Sequence, residues 1–190
     1  QETLADADYV SGLWVLTEPG SLDGQDAHHA GEPGSDSSGR FSPFVVRDAS
    51  GVKLDEPADF QYDSAQDYYK APKAAGKLTL IDPYTENVDG KDVVLVSLAT
   101  PVYDAAGRFV AIVGADIDMT RFQEQVAASG TDGRYTALIS DTGMILAHGG
   151  QPDLAGSQLA DYDADGVEAM AKVQSGEIYS YMADVAVGDD

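Results

Sequence analysis

Residues 92–118, DVVLVSLATPVYDAAGRFVAIVGADID, decide the fold. Two apolar runs with a high β-branched content flank the turn sequence DAAG, the pattern of antiparallel strands joined by a short connection. The second run ends on a carboxylate, Asp116, which needs partners wherever it is buried. Just upstream, residues 68–84, YYKAPKAAGKLTLIDPY, set tyrosines around a third strand, KLTLI at 77–81. Working outward, GLWVL at 12–16 adds a further strand, and FSPFVVRD, ASG and VKL at 41–54 read as a hairpin around a glycine-containing turn. Residues 64–75, SAQDYYKAPKAA, predict a short helix with Ser64 and Asp67 as a capping pair, Pro72 disturbing it and Gly76 ending it. The turn-rich stretch 17–40 is long for a connection in a compact domain and is expected to be disordered or a functional lid.

Past Asp116 the pattern changes period. Residues 118–128 open on Asp118 as N-cap and carry Met119, Phe122 and Val126 at helical spacing. A shorter cycle follows: YTALIS, DTG and MILAH repeat the strand, turn, strand pattern, a helix is expected at 165–175, and EIYSYMADV adds a strand-like run. This predicts an α+β fold in two modules of unequal completeness, 1–119 and 130–190, bridged by a helix at 120–129.

Composition removes several classes of function. The 190 residues carry 11 basic against 33 acidic side chains, a net charge of −22, which works against binding nucleic acid or an anionic membrane surface. The acids are spread along the chain, as in a solvated skin adapted to salt, so the melting temperature is expected to rise between low and molar NaCl. A flat or falling profile would count against a halophilic source. There is no cysteine, hence no disulfide, thiolate nucleophile or thiolate-bound metal. The longest apolar run, FVAIVGA at 109–115, is strand-sized, and no run has the length of a membrane helix.

Catalytic and metal readings are weak. The stretch DYDADGVE at 161–168 starts like a calcium loop, but its twelfth position is Lys172 where a bidentate glutamate is needed. His28 and His29 are adjacent and His148 is distant, a poor histidine metal site. No nucleophile elbow, phosphate loop or dinucleotide fingerprint is present. No cofactor is implied, and a hydrolase using clustered carboxylates is the enzymatic alternative.

GLWVLTEPGSLDGQDAHHA, GRFSPFVVRDASG, DYYKAPKAAGKLTLIDPY, VVLVSLATPVYDAAGRFVAIVGADIDM and YTALISDTGMILAH together resemble the double Cache domain, the extracytoplasmic sensor of methyl-accepting chemotaxis receptors. The resemblance implies two PAS-like modules, each a curved antiparallel sheet flanked by helices, the membrane-distal one at 1–119 holding the ligand and the proximal one at 130–190 incomplete. It implies a periplasmic sensor of a membrane-anchored receptor, a long helix before Gln1 that could pair two copies, and an output domain of chemotaxis, histidine kinase or cyclic-dinucleotide type.

In amino-acid-binding members, an Arg-x-Trp-Tyr motif grips the ligand carboxylate, while a later tyrosine and an aspartate hold its ammonium. By that resemblance Gln66, Tyr68 and Tyr69 stand at the first motif, Tyr84 at the second and Asp116 at the third. The arginine is replaced by Gln66, and a neutral amide cannot supply its charged bidentate clamp. An α-amino acid is therefore expected to bind poorly. Tyr62, Tyr68, Tyr69 and Tyr84 beside Asp116 favour a cationic amine or quaternary ammonium ligand, each aromatic face contributing about 0.5–2 kcal/mol when desolvated. A purine read by Gln66 and Asp116 is the second candidate and a small carboxylate the third. Trp14 is expected in the core.

Overall fold

Strands β1 (Val10–Thr17), β2 (Phe44–Asp48), β3 (Gly51–Asp55), β4 (Thr79–Val88), β5 (Lys91–Tyr103) and β6 (Phe109–Asp118) build one sheet in the order β3-β2-β1-β6-β5-β4. Every neighbouring pair is antiparallel. The computed structural model describes residues 9–48, 51–88, 91–129, 135–162 and 166–175. The chain divides into two units, Gln1–Met119 and Thr120–Asp190, and the sheet belongs to the first.

Side-chain alternation gives the sheet one working face. Gly12, Trp14 and Leu16 of β1 are buried, and register pairs Gly12 with Asp116, Trp14 with Gly114 and Leu16 with Ile112 of β6. Asp116 and Gly114 pair in turn with Ser97 and Ala99 of β5, so all these residues share that face. β4 reaches the same face by an irregularity. Its register shifts between Ile81, opposite Ser97, and Tyr84, opposite Leu95. One extra residue in that step turns Tyr84 inward, where strict alternation would have turned it out.

Two helices cover this face, and here the sequence expectation needs correcting. A short helix not expected from sequence, α1 (Phe60–Asp63), precedes α2 (Asp67–Ala75), which is the helix expected at 64–75 with its start three residues later. Ser64 ends the first, and Gln66 caps the second without a side-chain hydrogen bond, so Ser64 and Asp67 form no capping pair. Gly76 ends α2 in the left-handed conformation, φ 66°, as its sequence position predicts. Pro72 is buried inside α2, and Trp14, Leu16, Tyr69, Ala99 and Ile112 form the core between helix and sheet.

The stretch 17–40 is held by a turn that the sequence uses twice. In DSSGR (36–40) the Asp36 carboxylate accepts the backbone N–H of Ser38 and of Arg40 and pairs with Arg40 Nε at 2.7 Å. In DAAGR (104–108) Asp104 does the same with Ala106, Arg108 and Arg108 Nε, also at 2.7 Å. Both turns need their glycine at positive φ, 86° at Gly39 and 78° at Gly107. Their surroundings differ: Arg40 is 0% exposed, whereas the side chain of Arg108 is 79% exposed.

In the second unit β7 (Ala137–Ile139) pairs antiparallel with β8 (Ile145–His148), and α4 (Leu159–Tyr162) and α5 (Gly166–Gln174) follow. The helix expected at 118–128 is α3 (Met119–Ala128), with Asp118 closing β6 before it. The run EIYSYMADV, and Asp163 and Asp165 of the acidic stretch, lie outside the described residues. Among the described residues no helix is long and apolar enough to cross a membrane.

Candidate functional site

A cavity of about 170 Å³ lies between the working face of the sheet and the segment 56–68. Trp14, Leu16, Phe44 and Asp116 come from the sheet, Tyr84 from beyond the irregularity in β4, and Tyr62, Asp63 and Tyr68 from α1 and α2. Glu56, Pro57 and Ala58 lie on the chain leading into α1.

Two glycines sit behind the Trp14 and Asp116 side chains of the floor. A methyl group on Gly114 would fall among the indole carbons of Trp14, and one on Gly12 would meet Asp116 Oδ2 and the Phe44 ring, each at 2.9 Å. The indole and the carboxylate can therefore lie against the backbone of neighbouring strands. Gly114→Ala is expected to push Trp14 off the floor and cost about 1–3 kcal/mol in urea denaturation, the range for overpacking a filled site. An unchanged midpoint with native tryptophan emission would contradict this packing.

Asp116 is 4% exposed and is held by neutral donors. Trp14 Nε1–H donates to its Oδ1 at 2.8 Å and the Ser97 hydroxyl donates to the same oxygen at 2.7 Å. Ser97 has thereby used its proton, so Tyr84 is the donor in the 2.8 Å Tyr84–Ser97 bond. Trp14 and Tyr84 also flank Tyr68, with ring centroids 5.5 and 6.1 Å away. Three aromatic rings thus form a wall, and two of them direct their polar ends toward one carboxylate.

At the other end of Tyr68 its hydroxyl donates to Asp63 Oδ1 at 3.3 Å. Asp63 Oδ2 accepts from Arg40 at 2.6 Å, and Arg40 also holds Asp36 and the backbone carbonyls of Thr17 and Ala58. The two carboxylates differ. Burial raises the pKa of Asp63 in spite of Arg40, whereas burial of Asp36 is outweighed by hydrogen bonds from Arg40 and Ser38, which lower its pKa. Burial also pushes the Tyr68 phenol up, so it stays a neutral donor.

Of the six site residues expected from sequence, the cavity brings together Tyr62, Tyr68, Tyr84 and Asp116. Tyr69 lies elsewhere: it is 3% exposed, packs edge-on against Phe60 and Phe109, and its hydroxyl accepts from Lys73 at 3.2 Å. Gln66 is half-buried at the start of α2 and does not line the cavity, its amide donating to the Tyr62 carbonyl. Sequence reasoning passed over Asp63 and read Trp14 as core alone. A glycine inside the strand IVGAD, a usual mark of close approach by another group, was the available signal for Trp14.

A sequence profile for the methyl-accepting chemotaxis protein-like first PDC sensor domain matches residues 1–124. Methyl-accepting chemotaxis protein TlpQ of Pseudomonas aeruginosa is 28% identical over 173 residues, covering 81% of this chain and 24% of that protein. Among solved structures, the extracellular domain of mmHK1S-Z3, described as a histidine kinase, is similar with a TM-score of 0.73 and 31% identity, over 92% of this chain and 63% of that one. Methyl-accepting Chemotaxis protein X gives 0.68 and 26%, again over 92% and 63%. The chain therefore spans about a quarter of the curated relative and under two thirds of these solved chains.

Proposed function

The chain belongs to the methyl-accepting chemotaxis protein-like family of first PDC sensor domains, an extracytoplasmic sensor and not an enzyme, and from that premise we propose that its cavity binds a small organic cation. The observation that carries this reading is the lining: among the described residues it has three carboxylates, Glu56, Asp63 and Asp116, with Trp14, Phe44, Tyr62, Tyr68 and Tyr84, and no lysine, arginine or histidine. Ammonium groups are drawn to aromatic faces and to carboxylates alike, and a desolvated cavity strengthens both attractions. The same lining disfavours an α-amino acid or a small carboxylate, because their carboxylates would meet three of their own sign. Arg40 offers no clamp for one, since it is fully buried and engaged with Asp36, Asp63, Thr17 and Ala58.

Tyr62, Tyr68, Tyr84 and Asp116 are the contacts, joined by Trp14 and Asp63; Tyr69 supports Tyr68 from the core, and Gln66 makes no contact. Residues 1–119 form the ligand-binding module, 120–129 a connecting helix, and 130–190 belong to a second, membrane-proximal module. In the whole receptor the ligand shifts signalling only by its differential affinity for two states. The test is calorimetry with choline, an aliphatic amine, an α-amino acid, adenine and succinate. Saturable binding of the amines without chemical turnover supports the reading, and binding of succinate or the amino acid alone overturns it.

Binding should depend on pH in a direction set by Asp63. Burial raises the pKa of its carboxyl, so acidification protonates it earlier than an ordinary aspartate. A cation prefers the ionised form. Affinity is therefore expected to fall as pH drops, beginning above the usual aspartate range, with proton release on binding in that window. Calorimetry in buffers of different ionisation heat measures this release, and affinity that is flat down to the ordinary range would contradict it.

A further inference from the structure

We propose, resting on the cation reading above, that Asp63 forms a second anionic pole of the same cavity and that the ligand is two-headed: an amine with a second cationic or N–H donor group, such as an α,ω-diamine. Asp36, Arg40 and Asp63 are all buried, 3%, 0% and 3% exposed, and they join two carboxylates through one guanidinium. The triad carries one surplus negative charge, and Asp63 is its member that lines the cavity.

Buried charge left without compensation is costly, and a cation entering the cavity would supply that compensation. Neutral help is modest, since the hydroxyl of Tyr68 reaches Asp63 only at 3.3 Å. A second polar group lines the same cavity: the Ser42 hydroxyl is buried and has no hydrogen-bond partner among the described residues. It can accept an N–H from a ligand head that Asp63 attracts.

The two poles terminate one aromatic wall. Tyr68 presents its hydroxyl to Asp63, while its ring is flanked by Trp14 and Tyr84, whose polar ends lead to Asp116 directly and through Ser97. An aliphatic chain lying along these rings would place one head at each carboxylate. A single-headed ammonium would satisfy Asp116 and leave Asp63 and the Ser42 hydroxyl without a ligand partner.

The test compares 1,4-diaminobutane with 1-aminopentane by calorimetry on the unaltered chain; the second probe exchanges one ammonium for a methyl at equal size. The diamine is expected to bind about tenfold tighter or better. Ser42→Ala, which leaves the triad intact, is expected to weaken the diamine and spare 1-aminopentane; Asp63→Asn is expected to bring the two amines to within about threefold. Equal affinity of the two amines for the unaltered protein would overturn the second pole while leaving the cation reading standing. Failure of both amines to bind would overturn that reading, and this proposal with it.

Discussion

Arg40→Ala is expected to destabilise the first unit by about 3–5 kcal/mol, the usual cost of removing one partner of a buried ionic cluster. The substitution leaves Asp36 and Asp63 buried within one cluster without their shared cation. It also strips hydrogen bonds from the carbonyls of Thr17 and Ala58 and removes a guanidinium 5.3 Å from the centre of the Phe60 ring. Those contacts tie the stretch 17–40 to the approach into α1, so the loss extends beyond electrostatics. Against a total stability of about 5–15 kcal/mol it would bring many domains near unfolding at ambient temperature. The molecule contains its own control. Arg108 makes the same turn with Asp104 in solvent, and Arg108→Ala should leave the denaturation midpoint almost unchanged. Adding Asp36→Asn and Asp63→Asn to an Arg40→Met background should recover much of the loss, because the buried charges then disappear together. If Arg40→Ala and Arg108→Ala shift the urea midpoint equally, the triad does not hold the fold as described.

Asp116→Asn is expected to weaken organic cations by about 100-fold or more, the upper range for a hydrogen bond to a charged group. An asparagine oxygen can still accept from Trp14 and Ser97, so the substitution removes charge more than shape. The loss should therefore appear in binding while the melting temperature changes little. A neutral purine stacked on the tyrosines would lose far less, and equal losses for a cation and a purine would undercut the charge argument.

Most of the first unit was legible because its signals are local. The apolar runs at 92–103 and 108–117 and the glycine at 76 each act within a few residues, and strands and helix end appear where those signals place them. The helix at 64–75 was legible, but the short helix α1 before it was not, since a single turn is held by its packing more than by local signals. Tyr68 and Tyr69 show the same limit. Neighbours on a helix point about 100° apart, so they cannot both face one cavity, and the position of Phe60 and Phe109 decides which turns away. Tyr84 reaches the cavity only through the irregularity in β4, which Pro83 hints at without fixing. Asp63 was out of reach for another reason: its partner Arg40 is 23 residues away, and in a chain with 33 acids nothing local distinguishes that one.

Trp14 is the only tryptophan of the chain and donates directly to Asp116 from the cavity floor, which gives the site a built-in probe. The decisive measurement is its fluorescence during titration with 1,4-diaminobutane, with succinate as the opposite-charge control. Binding of a cation at Asp116 predicts a saturable change in Trp14 emission with the amine, lost in Asp116→Asn, and no change with succinate. Emission that ignores the amine and responds to succinate would contradict the reading of this cavity as a cation site.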